Sequence, residues 1–154
     1  MIEMYNHRSS SSITVEGNYR RPGASVKSSL KELQDIKFSI SSRFCIDEGF
    51  IKKRIGNYKQ KWFLAFKDIT SATNERTMIS TILPYSGVVN KLPILLTNNS
   101  PKEVACLMAN LNSFVYDFSC RQKLGNITLN WFIVQQIPLI PSYVYHDSKI
   151  STNK

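Results

Sequence analysis

Little in this chain of 154 residues is suited to covalent or redox chemistry. There are two histidines, His7 and His146, in polar stretches near opposite ends. Neither has a cysteine or carboxylate beside it at metal-ligand spacing. The three cysteines, Cys45, Cys106 and Cys120, are odd in number and far apart, with no CxxC pair. That spacing argues against a disulfide framework or a zinc cluster and suits small buried hydrophobes in a reducing compartment. Glycine is scarce, and isolated residues such as Gly87 and Gly125 cannot form a phosphate-cradling loop of the Walker or dinucleotide type. No serine or cysteine is singled out as a nucleophile by its neighbours. No apolar run approaches the ~18 residues of a membrane span, and the N-terminus lacks the apolar centre of a signal peptide. These absences predict a cytoplasmic protein with no membrane partner, no metal and no catalysis of its own.

Acidic residues are also few. Eleven Asp and Glu face twenty Lys and Arg, a formal charge of +9. Such an excess favours polyanions, chiefly nucleic acid, through counterion release and steering, although a merely basic soluble domain has the same composition. Apolar content of 42% and ordinary Gly and Pro usage indicate a globular domain able to bury one core.

Residues 1–42 are polar, with turn signals at Ser9–Ser12, Arg20-Arg21-Pro22-Gly23 and Ser28-Ser29, and one short strand candidate at Ile13-Thr14-Val15. This segment reads as an extended arm wrapping over a core. Residues 43–141 have the texture of that core, and residues 142–154 read as a polar tail. Arg43–Ile46 suggests a short strand. Asp47 or Glu48 then starts a helix through Phe50, Ile51 and Ile55, stopped at Gly56. Lys52, Lys53 and Arg54 lie on its outer face, and Lys59 and Lys61 follow in the next turn. Five cations in ten residues, interleaved with Asn57, Tyr58 and Gln60, suit phosphate contact. A solvated charged face would have the same composition.

Trp62–Phe66 is continuously aromatic and aliphatic, as expected of a strand buried on both faces. Further strands are predicted at 77–83 and 92–97, separated by the Pro84-Tyr85-Ser86-Gly87 turn. Between the first two runs a polar turn, Asp68 to Arg76, held at the edge of the core. Ser100-Pro101-Lys102-Glu103 carries a capping box with Pro at the first helical position. From there Val104, Leu107, Met108, Leu111, Phe114, Val115 and Phe118 form one stripe of a helix over about 101–122, best suited to core packing. A second short helix is predicted at 129–136, halted by Pro138. The expected fold is α+β, or mixed α/β. Its centre is a mostly antiparallel or mixed sheet of the strands at Arg43, Trp62, Thr77 and Leu92. One long amphipathic helix packs across it, with short additional helices.

The run from Phe66 to Ile79, FKDITSATNERTMI, resembles a stretch in the C-terminal target recognition regions of large N6-adenine DNA methyltransferases. That family includes type IIG restriction–modification enzymes and phage-defence methylases. Leu111-Asn112-Ser113-Phe114-Val115-Tyr116-Asp117 resembles the family's LNS-V-D helix. Arg121 to Gly125, Leu129 to Phe132 and Gln136-Ile137-Pro138 resemble its ending, and Met1 to Arg8 resembles the segment where catalytic and recognition regions meet. The similarity covers residues 1–141 with the motifs in the family's order. Two departures stand out. Lys67 replaces the usual Arg, exchanging a planar fork for a point charge. Neither the Asn-Pro-Pro-Tyr-type motif nor the glycine-rich S-adenosylmethionine motif occurs.

The resemblance implies a target recognition domain that grips double-stranded DNA while a catalytic domain flips and methylates adenine. S-adenosylmethionine would belong to that separate or missing domain. Under this reading Lys52, Lys53, Arg54, Lys59 and Lys61 are candidates for backbone contact. Lys67, Thr73, Asn74 and Arg76 are candidates for the base-reading edge. Arg121, Lys123, Asn126 and Asn130 are further candidates at a helix end. Asp68, Asn74 and Arg76 are equally suited to bonding one another and capping their turn, and the helix-end group to a structural role. For Asn112 and Ser113 helix packing is expected. An alternative of a different class is a split-gene module that docks on a separate methyltransferase subunit, or an inactive remnant. Residues 1–42 would then be a domain-junction remnant.

Overall fold

The computed structural model describes residues 2–12, 25–42 and 45–147. In chain order its elements are β1 (Ser10–Ser12), β2 (Ser25–Lys27), α1 (Leu30–Gln34), α2 (Glu48–Ile55), β3 (Trp62–Phe66), β4 (Ser80–Pro84), β5 (Ile94–Leu95), α3 (Pro101–Leu111), α4 (Phe114–Lys123), α5 (Trp131–Val134) and α6 (Ser142–Asp147). The fold is α+β. Two antiparallel sheets are present, a β1-β2 pair and a three-stranded sheet in the order β4-β3-β5.

Strand β3 is central, and all four residues from Phe63 to Phe66 are 0% exposed. A strand covered on both faces needs no polar alternation, which accounts for the unbroken apolar run. Leu64 and Phe66 join Met78, Val104, Leu111, Tyr116, Cys120, Leu129 and Ile133 in the main core. Phe63, Ala65 and Leu83 form a smaller core on the opposite face, under Ile55, Tyr58, Tyr85, Val88, Leu92 and Ile94.

Several boundaries depart from expectation, each for a local reason. The strand expected over 77–83 begins only at Ser80, because the backbone N–H groups of Thr77 and Met78 both donate to the Asp117 carboxylate. The strand expected over 92–97 shrinks to Ile94–Leu95, since Pro93 has no N–H for the ladder. Cys45 and Ile46 are not in a strand, and the rest of the one expected at 43–46 lies outside the described residues, as does the one at 13–15. The short helix expected over 129–136 is confined to α5.

The long helix over 101–122 is two helices. Its first half starts as expected, with the Ser100–Glu103 capping box and Pro101 in the first turn. It ends at Asn112, and Ser113 then caps α4 by accepting from the Tyr116 N–H. Asn112 is diverted to β4, where its amide accepts from Ser80 N and donates to Ser80 O, both at 2.9 Å. A side chain thus substitutes for a neighbouring strand at the sheet edge. The break rotates the apolar stripe outward: Phe114, Val115 and Phe118 are 82%, 78% and 63% exposed. Tyr116, Asp117 and Cys120 are the buried face of α4 instead.

Residues 2–8 lie against β4 and the core. Ile2 is buried, Tyr5 N donates to Ser80 O, and the His7 ring bonds the Ile82 backbone. Arg8 ties this segment to the carbonyls of Leu33, Asp35 and Phe38. The segment expected as a polar tail is helical at α6 and tied to α3, where Asn110 bonds the Tyr145 hydroxyl and both backbone groups of Ile140.

Candidate functional site

Two polar surfaces are built from the predicted residues, and they differ in how their charges are used. The first follows α2. Asp47 caps that helix by accepting from Gly49 N at 2.8 Å, and Gly56 ends it with a φ of 58°. Positive φ is costly for any residue with a Cβ, so the sharp exit toward Asn57 and Tyr58 depends on glycine. The exit creates a groove of about 330 Å3 lined by Lys52, Lys59 and Lys61 with Glu48, Gln60 and Tyr85. Its wall is rigid: Tyr58 stacks on buried Phe63 at 5.6 Å, Phe63 packs on Tyr85 at 5.5 Å, and the Tyr58 hydroxyl donates to Trp62 O. Burial raises the Tyr58 pKa, so this donor stays protonated at neutral pH. The Tyr85 hydroxyl oxygen is buried without a hydrogen-bond partner.

Within the groove, Lys52 pairs with Glu48 at 3.0 Å, and this bond raises its pKa. Among the described residues Lys53, Arg54, Lys59 and Lys61 make no ion pair, and all are exposed. Lys53 and Arg54 lie on the same helix outside the groove's lining.

The second surface is the turn between β3 and β4, organised by Asp117. This carboxylate is 4% exposed. Its Oδ1 accepts from Thr77 N and Met78 N, both at 2.8 Å, and its Oδ2 accepts from Arg121 Nε at 3.0 Å. Arg76 Nε lies 3.6 Å from Oδ1. Both arginines reach further. Arg76 donates to Asn112 O and lies over the Phe114 ring at 4.7 Å, while Arg121 donates to the carbonyls of Ala72 and Glu75. Thr73 shares a hydroxyl contact with Ser71, whose carbonyl accepts from Thr77 Oγ1. Arg76 and Arg121 therefore clamp the turn onto α4.

The turn is not held by Asp68, Asn74 and Arg76 bonding one another. Buried Asp68 has Lys91 at 3.9 Å from one carboxylate oxygen and no hydrogen bond to the other. Lys67, Asn74 and Arg76 instead line an open cleft of about 530 Å3 with Glu3, Glu75 and Ile79. Lys123 bonds Gln136, Asn126 accepts from Thr128 N, and Asn130 precedes α5. These last three line neither surface.

Asp117 is the organising residue that residue-type reasoning did not single out. Its signal was an acid one turn after the Ser113 cap, with Arg121 four residues on. Behind it the Cys120 thiol is pushed up to about 12 by burial and by the Asp117 charge, so it is an inert core group. Tyr116 is also raised by burial, and its hydroxyl donates to Val134 O at 3.0 Å.

Among the described residues no group of His, Cys, Asp and Glu could hold a metal ion, and no helix is long and apolar enough to cross a membrane. Comparison with protein-family models, curated proteins and solved structures finds no match to the chain.

Proposed function

We propose that this chain is a DNA-binding target recognition domain of an adenine-specific DNA methyltransferase or restriction–modification enzyme. It would read duplex DNA while methyl transfer and S-adenosylmethionine binding reside in a catalytic domain, whichever polypeptide carries it. The observation that carries this reading is the groove of Lys52, Lys59 and Lys61 on a rigid aromatic wall. Exposed lysines held on fixed backbone are an ordinary means of positioning a duplex through its phosphates, and of these three only Lys52 has an ion-pair partner among the described residues. Contiguity in space of the family-like segments adds support, since Asp117 and Arg121 bond directly to the 72–78 stretch. Electrophoretic shift on duplex DNA at low salt tests the reading. Binding is expected at Kd on the order of 1–100 μM, the range of sequence-independent contacts. Complete absence of a shift across that range would overturn it.

A second reading, docking on a separately encoded methyltransferase subunit, is favoured by the exposed Phe114, Val115 and Phe118 on α4. Large clustered apolar side chains in water commonly mark a protein interface. Co-purification with the product of a neighbouring reading frame that carries an Asn-Pro-Pro-Tyr-type motif would support it. Failure to co-purify when both are expressed together would count against it.

A further inference from the structure

We infer that the duplex lies parallel to β3 on the side of the sheet opposite α3, outside the layer of Ile55, Tyr58, Val88 and Leu92 that covers the smaller core, with the lysine groove and the open cleft as its two contacts. The inference rests on the DNA-binding reading above and adds the direction and span of the bound duplex. Side chains alternate faces along a strand. The β3–β4 register pairs Phe63 with Leu83 and Ala65 with Thr81, and the pairing extends through Tyr85 N to Lys61 O and Lys67 N to Ile79 O. Lys61, Phe63, Ala65 and Lys67 therefore share one face with Ile79, Thr81, Leu83 and Tyr85. The contacts agree: Phe63, Ala65 and Leu83 form the smaller core, whereas Leu64 and Phe66 turn toward α3 and the main core.

Lys61 and Tyr85 line the groove at one end of this face, and Lys67 and Ile79 line the cleft at the other. Six residues of extended chain at ~3.3 Å each set the two lysines roughly 20 Å apart. At ~3.4 Å per step along one DNA strand, that spans about six base pairs. Charge suits this path. Residues 49–67 and 77–102, which include both central strands and the loop over the smaller core, contain no Asp or Glu. The two ends also differ in chemistry. The groove offers lysines, which suit phosphate. The cleft combines Lys67 and Asn74 with Glu3 and Glu75, donors and acceptors of the kind that match base edges.

The test is a series of DNA hairpins with stems from four to twelve base pairs, titrated against the full chain and its Lys61→Glu and Lys67→Glu variants. Affinity of the unaltered chain should step up by at least about tenfold between stems of five and eight pairs, as the second contact becomes intramolecular. Lys67→Glu should remove the step and leave the shortest stem bound within about twofold of the unaltered chain, since only one contact acts there. Lys67→Gln, with circular dichroism on each variant, separates the effect of charge from loss of fold. A smooth rise with length, or an equal reduction for Lys67→Glu at every length, overturns the lengthwise placement while DNA binding stands. No binding even to the twelve-pair stem overturns both.

Discussion

The turn at 68–76 and the groove beside α2 are both rich in polar and cationic residues, yet they use them oppositely. In the turn, Arg76 and Arg121 are consumed internally, by Asp117, by four backbone carbonyls and by the Phe114 ring. In the groove, among the described residues, only Lys52 has an ionic partner, and that partner is an exposed glutamate one helical turn away. Exposed i,i+4 pairs contribute little to stability, so a phosphate can displace Glu48 readily. A conspicuous motif can thus be architecture, while a plainer run of lysines is left available to a partner. Lys67 and Asn74 stand between these cases, held by the clamped backbone yet facing the open cleft.

The sharpest way to break this contrast is to remove its centre. Asp117→Ala leaves two buried N–H groups and two partly buried arginines without their acceptor. Breaking a buried ion pair on one side costs about 3–5 kcal/mol, enough to unfold many domains of this size. Urea unfolding should show that loss, whereas an effect under ~1 kcal/mol would mean the clamp is not structural. Next comes Asn112→Ala, which strips both amide bonds from Ser80 at the edge of β4. A loss of about 1–3 kcal/mol is expected by the same measurement, with protection of the β4 amides reduced in hydrogen exchange.

Alkaline pH probes the same core more gently. The folded chain holds the Cys120 and Tyr116 protons more tightly than an unfolded chain, whose thiol and phenol titrate near 9 and 10. Stability is therefore full below pH 9 and declines as pH rises toward 12, because only the unfolded state has released its protons in that window. Urea midpoints followed from pH 8 to 11 should fall, and a flat profile would contradict the burial of these groups. The smallest effect lies at the N-terminal segment. Burial first, then Arg8, lowers the His7 pKa below 6.5, so docking of this segment on β4 is strongest above that pH and weakens as pH falls. Chemical shifts of the His7 ring would follow it.

Much of the scaffold was legible in the sequence because single residues enforce it. The unbroken apolar run marked β3, Asp47 and Gly56 marked both ends of α2, and Ser100, Pro101 and Glu103 marked the start of α3. The break at Asn112-Ser113 was hidden, because the apolar spacing continues through it and periodicity alone cannot register a cap. The signal was the pair itself, two residues that favour caps and side-chain bonds to backbone over helix interiors. The clamp was illegible for another reason. Asp117 meets Thr77 and Met78 across about forty residues of chain, and only the packing of α4 against the sheet brings them together. For the candidate site, residue type grouped Lys52, Lys53, Arg54, Lys59 and Lys61 into one patch, of which Lys52, Lys59 and Lys61 line the groove, but did not reveal that Arg76 and Arg121 are already engaged.

The most direct test of a DNA-facing groove is the salt dependence of duplex binding, measured for the unaltered chain and for a Lys52→Glu, Lys59→Glu, Lys61→Glu variant. Each phosphate contact removed should reduce the slope of log affinity against log salt by about one. Affinity of the variant should fall evenly across sequences, with the urea midpoint unchanged. A variant that folds normally and binds with the same affinity and the same slope would contradict the assignment of this groove.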